Sequence, residues 1–217
     1  MEVDHALFTA LVEHWRLEMH VSHLPHGEMA ITLQDIEVML GVPVDGLPVT
    51  RSVKLDWFVL CCDLLGHHPP DLVSHPYENM SILIGARIRV NWLKAQFRGP
   101  LAVDATNEVV QQHARYHILV WLGSIMFMDK LANWVLVMPL QFLNPISDAK
   151  RYSWGSGALA WLYRHLCKAS EMKVKQFGEA LILVQLWAYL RFPLICSVTR
   201  PPQLPMETGP LTRRYVI

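Results

Sequence analysis

The chain has 217 residues, 52% of them hydrophobic and only 18% charged. That is enough apolar material for one sizeable core or two small ones, and the composition excludes a disordered chain or a coiled coil. Its 19 basic residues balance its 19 acidic ones, so bulk charge draws it neither to nucleic acid nor to an anionic membrane, and any binding surface must be a local patch. The opening MEVDHALF has acids where a signal peptide needs a basic start and an apolar run, and the longest uncharged apolar runs, Ile118–Met128 and Ala180–Leu190, are 11 residues each. A bilayer span needs ~20, so a soluble chain with no membrane partner is expected.

In chain order, Ala6, Leu7, Ala10, Leu11 and Trp15 predict a short amphipathic helix. Met19, Val21 and Leu24 then alternate with polar residues, Pro25-His26-Gly27-Glu28 makes a turn and Met29-Ala30-Ile31 runs back, which predicts a small β-hairpin. Thr32 with Asp35 reads as a helix start, a hydroxyl for free amides and a carboxylate in the first turn. That helix turns Leu33, Ile36, Met39 and Leu40 inward and closes at Gly41 and Pro43. A rigid, turn-rich connector follows to Pro48.

Leu55, Phe58, Val59, Cys62 and Leu65 mark the inward face of the next helix, stopped at Gly66. Residues 67–80 read as an irregular loop. Ile84, Ile88, Trp92 and Ala95 predict a helix ended by Gly99-Pro100. Thr106 caps the longest helix, running to about Met128 with Val110, Ala114, His117 or Ile118, Trp121 and Ile125 inward. Asp129 to Asn133 breaks it, and Trp134 to Leu143 reads as a short apolar helix. Tyr152 to Pro193 predicts two helices joined by a polar turn. The second, from about Phe177 to Phe192, is apolar nearly all round, as in a helix enclosed by protein. Five prolines between Pro193 and Pro210 then leave no periodicity, so 194–217 reads as a Pro-rich tail or linker. The expected fold is mainly α, a single compact multi-helix domain over 1–193 with a small N-terminal β-hairpin.

Few residues announce chemistry. Cys61, Cys62, Cys167 and Cys196 form no CxxC pair and read as reduced, buried thiols of an intracellular protein. His113 and His117 share a helix face, but Ala114 stands where a zinc protease needs Glu and no third ligand is evident; strand alternation sends His20 and His23 apart around a turn that also holds His26. These histidines read as ordinary polar or core residues, with no metal. No GxxxxGK[ST], GxGxxG or GxSxG occurs; Gly155-Ser156-Gly157 sits where a helix begins and fits an N-terminal turn, with a phosphate on its amides the lesser alternative. No cofactor is expected. No acid occurs between Asn79 and Val103, while Arg87, Lys94 and Arg98 fall on one helical line with Asn91 beside them. This is a candidate nucleic-acid contact, against the plainer reading of a solvated helix face.

Polar groups inside apolar helices are the stronger signal. Gln185 lies within ALILVQLWAYL, and an unpaired buried amide costs about 1–3 kcal/mol. It is expected to bond to a neighbouring helix, with Arg164 or Tyr163 as candidate partner. Arg115 and Arg164 interrupt apolar patterns in the same way, and an internal polar network is favoured over a ligand pocket. Trp154, Trp161 and Trp187 read as core.

Four blocks carry a family resemblance: HWRLEMHVSHLPHGEMAITLQDIEVMLGVPVDGLPVT, ARYHILVWLGSIMFMDK, RYSWGSGALAWLYRHLCKAS and LILVQLWAYLRFP. Their order and spacing from Leu7 to Pro193 resemble the plant mobile domain, also called aminotransferase-like. It is found in MAINTENANCE OF MERISTEMS-like proteins and in serine/threonine-protein phosphatase 7 long form homologues. His26 replaces a common Cys of the family, and Tyr189-Leu190 the usual Trp-Glu. The family-block residues expected to form core and polar network are Trp15, Asp45, Gly46, Arg115, Tyr116, Trp154, Gly155, Tyr163, Arg164, Gln185, Trp187 and Arg191. The resemblance implies a transposon-derived, non-enzymatic nuclear interaction module acting in transposon silencing, genome stability and meristem maintenance, with phosphatase-like or chromatin-associated protein partners. Neither name carries its chemistry here: the GDxHG, GDxxDRG and GNHE blocks of metallophosphatases are absent, and a pyridoxal-phosphate aminotransferase is a much longer chain. The alternative is a nucleic-acid-binding module of a mobile-element protein using the Arg87–Arg98 stripe.

Overall fold

The computed structural model describes residues 4–25, 27–50, 55–70, 82–127, 133–172 and 181–192. The expectations for His26, most of the 67–80 loop, the break after Met128, the turn before the last helix, Cys196 and the Pro-rich tail fall outside them. In chain order the elements are α1 (His5–Glu13), β1 (Trp15–Arg16), β2 (Val21–Leu24), β3 (Gly27–Met29), α2 (Leu33–Leu40), β4 (Leu47–Pro48), α3 (Trp57–Leu65), β5 (Leu83–Ile84), β6 (Arg87–Arg89), α4 (Val90–Gln96), α5 (Asn107–Ile125), β7 (Trp134–Leu136), 3-10 segments at Met138–Phe142 and Ile146–Arg151, β8 (Tyr152–Ser153), α6 (Trp154–Met172) and α7 (Leu181–Arg191). The mainly α class holds. The chain divides into two compact units, Met1–Pro48 with Ser153–Ile217, and Val49–Tyr152.

In the first unit the hairpin forms with a tighter turn than read: Gly27 and Glu28 pair with Leu24 and His23 as strand residues, and the return strand ends at Met29. β2 and β3 pair antiparallel with Ser22 opposite Met29, and Gly27 takes a φ of 128° that suits glycine. The structure adds β1, which pairs with β2 and sets Trp15 opposite Ser22. Trp15 therefore belongs to a strand and not to the first helix. α1 is capped by Asp4, whose carboxylate accepts from Leu7 N, and it buries Phe8, Leu11 and Val12, while the predicted Ala6 and Ala10 are exposed. α2 begins with a full capping box between Thr32 and Asp35 and ends at Gly41 in the left-handed region. Ile36, Met39 and Leu40 are buried as expected, whereas Leu33 and Met19 are exposed.

α6 faces the core along Ala158, Leu162, Leu166 and Ala169, the i, i+4, i+8, i+11 stripe of a helix packed on one side. Its start is pressed against the connector: Gly155 N donates to Pro43 O at 2.9 Å, and a Cβ added at Gly155 would lie 2.7 Å from Val44 Cγ1. Only glycine fits that approach. α7 buries Leu183, Val184, Gln185, Leu186, Trp187 and Ala188 in one unbroken run, so this stretch is enclosed on all sides, and only towards its end does Leu190 meet solvent. Each fully buried Leu or Val is worth roughly 1.5–3 kcal/mol, which makes this helix the apolar centre of its unit.

The second unit departs further from expectation. α3 starts at an Asp56 cap and stops at Gly66, with φ 70°, but buries Cys61, Leu64 and Leu65 instead of Phe58 and Val59. α5 has its Thr106 cap, but buries Arg115, Tyr116, Leu119, Leu122 and Gly123 in place of the Val110–Trp121 stripe. Both helices are apolar on two faces, and the period cannot say which one faces the core. The helix read around Ile84 and Ile88 is a hairpin: β5 and β6 pair across Gly85, whose φ is 57°. Trp134–Leu136 is likewise a strand, β7, completing the order β5-β6-β7 ahead of the Met138–Phe142 3-10 turn. Ile88 and Val135 fill the inner face of this sheet, and α5 approaches it so closely that a Cβ at Gly123 would sit 2.7 Å from Val135 Cγ2.

Candidate functional site

The first unit holds most of the family-block residues, and of its polar members Tyr163, Gln185 and Arg191 are paired. Gln185 Oε1 accepts from the Asp4 amide at 3.0 Å and its Nε2 donates to Tyr189 Oη at 2.9 Å. The expected bond to a neighbouring helix exists, at the cap of α1. The predicted partners do not take part: Tyr163 Oη donates to Ile31 O at 2.6 Å, and Arg164 is exposed to solvent. The long, flexible arginine lies on the face of α6 opposite the core stripe. Trp15 Nε1 donates to Cys167 Sγ at 3.4 Å, and Trp15 meets Tyr163 and His20 edge-on while His20 stacks on Tyr163. His20 holds a positive φ of 54° in doing so.

Arg191 Nη2 donates to Asp35 Oδ1 at 2.7 Å, and Thr32 N and Oγ1 each donate to Asp35 Oδ2 at 2.8 Å. Burial pushes the Asp35 carboxyl up, but the Thr32 hydrogen bonds and Arg191 together hold it below its ordinary value. The neighbouring Tyr163 hydroxyl is raised, first by burial and then by the Asp35 charge. At the start of α6 the Gly155 amide is taken by Pro43 O and the Ser156 amide by Ser153 Oγ, so these two amides serve the fold and not a phosphate. Trp154 and Trp187 are buried, while Asp45 and Gly46 form an exposed turn.

In the second unit Arg115 is 5% exposed, with Nε donating to Leu143 O, Nη1 to Leu64 O and Nη2 to Gln111 Oε1. It lies beneath an open cleft of about 450 Å³ rimmed by Asp63, Asn107, Glu108, Gln111 and Asn144. Burial lowers the guanidinium's pKa and Glu108 works the other way. Beyond α4, Phe97 stacks on Tyr116 at 4.4 Å, with His67 and His113 edge-on to it at 4.8 and 5.0 Å. His67 is held below its ordinary pKa by burial first and then by His113 and His68. His117 packs on Tyr116. Among the described residues no three His, Cys, Asp or Glu side chains converge as metal ligands. Cys61, Cys62 and Cys167 are free thiols, and burial pushes Cys61 up to about 12, far from nucleophilic range.

The basic line on one helix does not form. Arg87 belongs to β6, α4 begins only at Val90 and ends at Gln96, and Arg98 lies past its end. Gly85 inside the supposed helical pattern was the signal for a turn. The residues nevertheless stay on the surface: Arg87, Asn91, Lys94 and Arg98 are all exposed. Two apolar stripes are exposed as well, which the sequence had assigned to the core. Leu55, just ahead of α3, and Phe58 on it are 36% exposed and Val59 49%; on α5, Val110 is 44% and Trp121 42% exposed.

A family model described as plant mobile domain matches residues 1–216. The chain is 39% identical over 204 residues to the Serine/threonine-protein phosphatase 7 long form homolog of Arabidopsis thaliana, covering 94% of this chain and 14% of that protein. It is 36% identical over 196 residues to Protein MAIN-LIKE 1, covering 89% of the chain and 37% of that protein. It is 33% identical over 203 residues to Protein MAINTENANCE OF MERISTEMS, covering 93% and 39%, both again from Arabidopsis thaliana. The chain thus spans well under half the length of these relatives. No solved structure matches it. Among the described residues no helix is long and apolar enough to cross a membrane.

Proposed function

Because the chain belongs to the plant mobile domain family, we propose that it is a non-enzymatic interaction module of the nucleus, derived from a transposon and acting in transposon silencing, genome stability and meristem maintenance. The names of its MAIN-like relatives support the meristem role. The observation that carries the interaction reading is the pair of exposed apolar stripes, Phe58 and Val59 on α3 with Leu55 just ahead of it, and Val110 with Trp121 on α5. Exposed large apolar side chains at helical spacing mark binding surfaces, and tryptophan is among the residues that most often anchor them. Gln185, Arg115 and Arg191 of the family blocks, by contrast, are engaged in tying segments of the fold together, which supports a scaffold over a catalyst. The partner is a phosphatase-like or chromatin-associated protein.

The test is affinity purification from plant nuclei with the 217-residue chain and with a Val110→Glu/Trp121→Glu variant of unchanged helicity. Recovery of an identified phosphatase-type or chromatin protein by the first and its loss from the second is expected. Equal recovery by both chains refutes the surface.

A further inference from the structure

The cleft of the second unit joins the two exposed apolar stripes. Asp56, the cap of α3, is followed by Val59 and Asp63 at i+3 and i+7, all three exposed on one face, and Asp63 lines the cleft. Asn107 and Glu108, at the start of α5, also line it, and Val110 neighbours Asn107 at i+3. From Val110 the α5 stripe continues through half-buried Ala114 and exposed His117 to Trp121. At 1.5 Å per residue it runs about 16 Å, three turns of helix. Charge along this surface has one sign. α3 contains no lysine or arginine, and the one arginine of α5, Arg115, is buried. Asp56, Asp63 and Glu108 are exposed, and among the described residues none of them is in a salt bridge. At the cleft Asp63 and Glu108 outnumber Arg115, which is turned to Leu64 O, Leu143 O and Gln111 Oε1.

We infer that this surface binds a basic amphipathic helix of a partner protein, with its apolar side chains along Val110–Trp121 and its lysines or arginines over the cleft at Asp63 and Glu108. The inference rests on the interaction reading above and adds the chemistry of the partner. An exposed apolar stripe three turns long matches the i, i+4, i+7 anchors of a helix laid along a groove. Trp121 is the aromatic anchor at its far end. The carboxylates at its near end choose the sign: opposite charges there speed encounter and fix register, and like charges reject the wrong partner. An acidic helix fails on this ground, and a nucleic acid would bring its phosphates against the same carboxylates.

The test is fluorescence anisotropy of the 217-residue chain with three labelled peptides of about 18 residues, five turns of helix. The first has leucines at i, i+4, i+7 and i+11 flanked by lysines, the second has glutamate for every lysine, and the third scrambles the first so that no apolar face remains. The lysine helix should bind at least about ten-fold more tightly than either control. Asp63→Asn/Glu108→Gln should weaken it about three- to ten-fold, and raising salt from about 50 to 500 mM should act in the same direction. Val110→Ala/Trp121→Ala should weaken it at least about ten-fold. These side chains are exposed, so the melting temperature of each variant should stay near that of the parent. Equal binding of the lysine and glutamate helices, both lost on Val110→Ala/Trp121→Ala, overturns the charge assignment and leaves the interaction surface standing. Indifference of the lysine helix to Val110→Ala/Trp121→Ala overturns the surface as well. Equal affinity for the scrambled peptide, or no binding of any peptide near 50 mM salt, overturns the helical partner.

Discussion

The two units dispose of their apolar residues differently. In the first, α7 is enclosed from Leu183 to Ala188 and α6 gives its apolar stripe to the core. In the second, α3 and α5 each have more apolar surface than the core covers, and Val59, Val110 and Trp121 remain in water. A helix that is apolar all round is evidence of burial only when the elements around it suffice to cover it. Where they do not, the surplus face is available for another molecule.

The largest effect that would sharpen this contrast lies under the cleft of the second unit. Arg115→Ala strips Leu64 O and Leu143 O of a charged donor and leaves a void. Breaking such a buried set should cost about 3–5 kcal/mol, read as a lowered urea midpoint; a loss under about 1 kcal/mol would mean that Arg115 serves the cleft and not the fold. Next comes the first unit. Gln185→Leu leaves the Asp4 amide unpaired and should lower stability by about 1–3 kcal/mol. An equal or higher melting temperature would show that the amide is not needed there.

Acid provides a smaller probe of the same unit. Asp35 titrates lower in the folded chain than its ordinary ~3.9, so its contribution is fully present above that value and is lost as pH falls through the lowered folded one. Asp35→Asn should be less stable at neutral pH, by about 1 kcal/mol for the cap, and should show a shallower loss of stability below pH ~4. Parallel acid limbs in both proteins would remove Asp35 from the account. The smallest expected effect is the one that tests the comparison itself: Trp121→Glu should change stability by no more than about 0.5 kcal/mol. A loss of several kcal/mol would return that face to the core.

Features set by neighbours in sequence were legible in advance. The Thr32 and Thr106 caps, the stops at Gly41 and Gly66 and the β2–β3 hairpin depend on residues within a few positions. The inward faces of α3 and α5 were not legible, because each helix offers two apolar solutions and only the tertiary partner chooses. Strands of two or three residues such as β5 and β7 hold their place through pairing with distant segments, and no local period encodes that. At the candidate sites, Gln185 and Arg115 stood out as polar residues in apolar runs, whereas the bond from Gln185 to the Asp4 amide spans 181 positions. Arg89 and Trp134 were read as parts of two helices, whereas they are paired strand residues.

That long-range bond has a consequence for how the chain is made. The first unit is discontinuous, Met1–Pro48 with Ser153–Ile217, and the second is one continuous stretch between its halves. On a ribosome adding roughly 5–20 residues per second, the stretch 49–152 emerges complete while the first 48 residues still lack α6 and α7. The cap of α1 gains its Gln185 partner only after nearly the whole domain has been synthesised. The N-terminal segment therefore waits some 7–30 seconds at that rate with Phe8, Leu11 and Trp15 uncovered, a window for chaperones. Limited proteolysis of stalled nascent chains should find residues 49–152 protected before residues 5–40, and the reverse order would contradict this account.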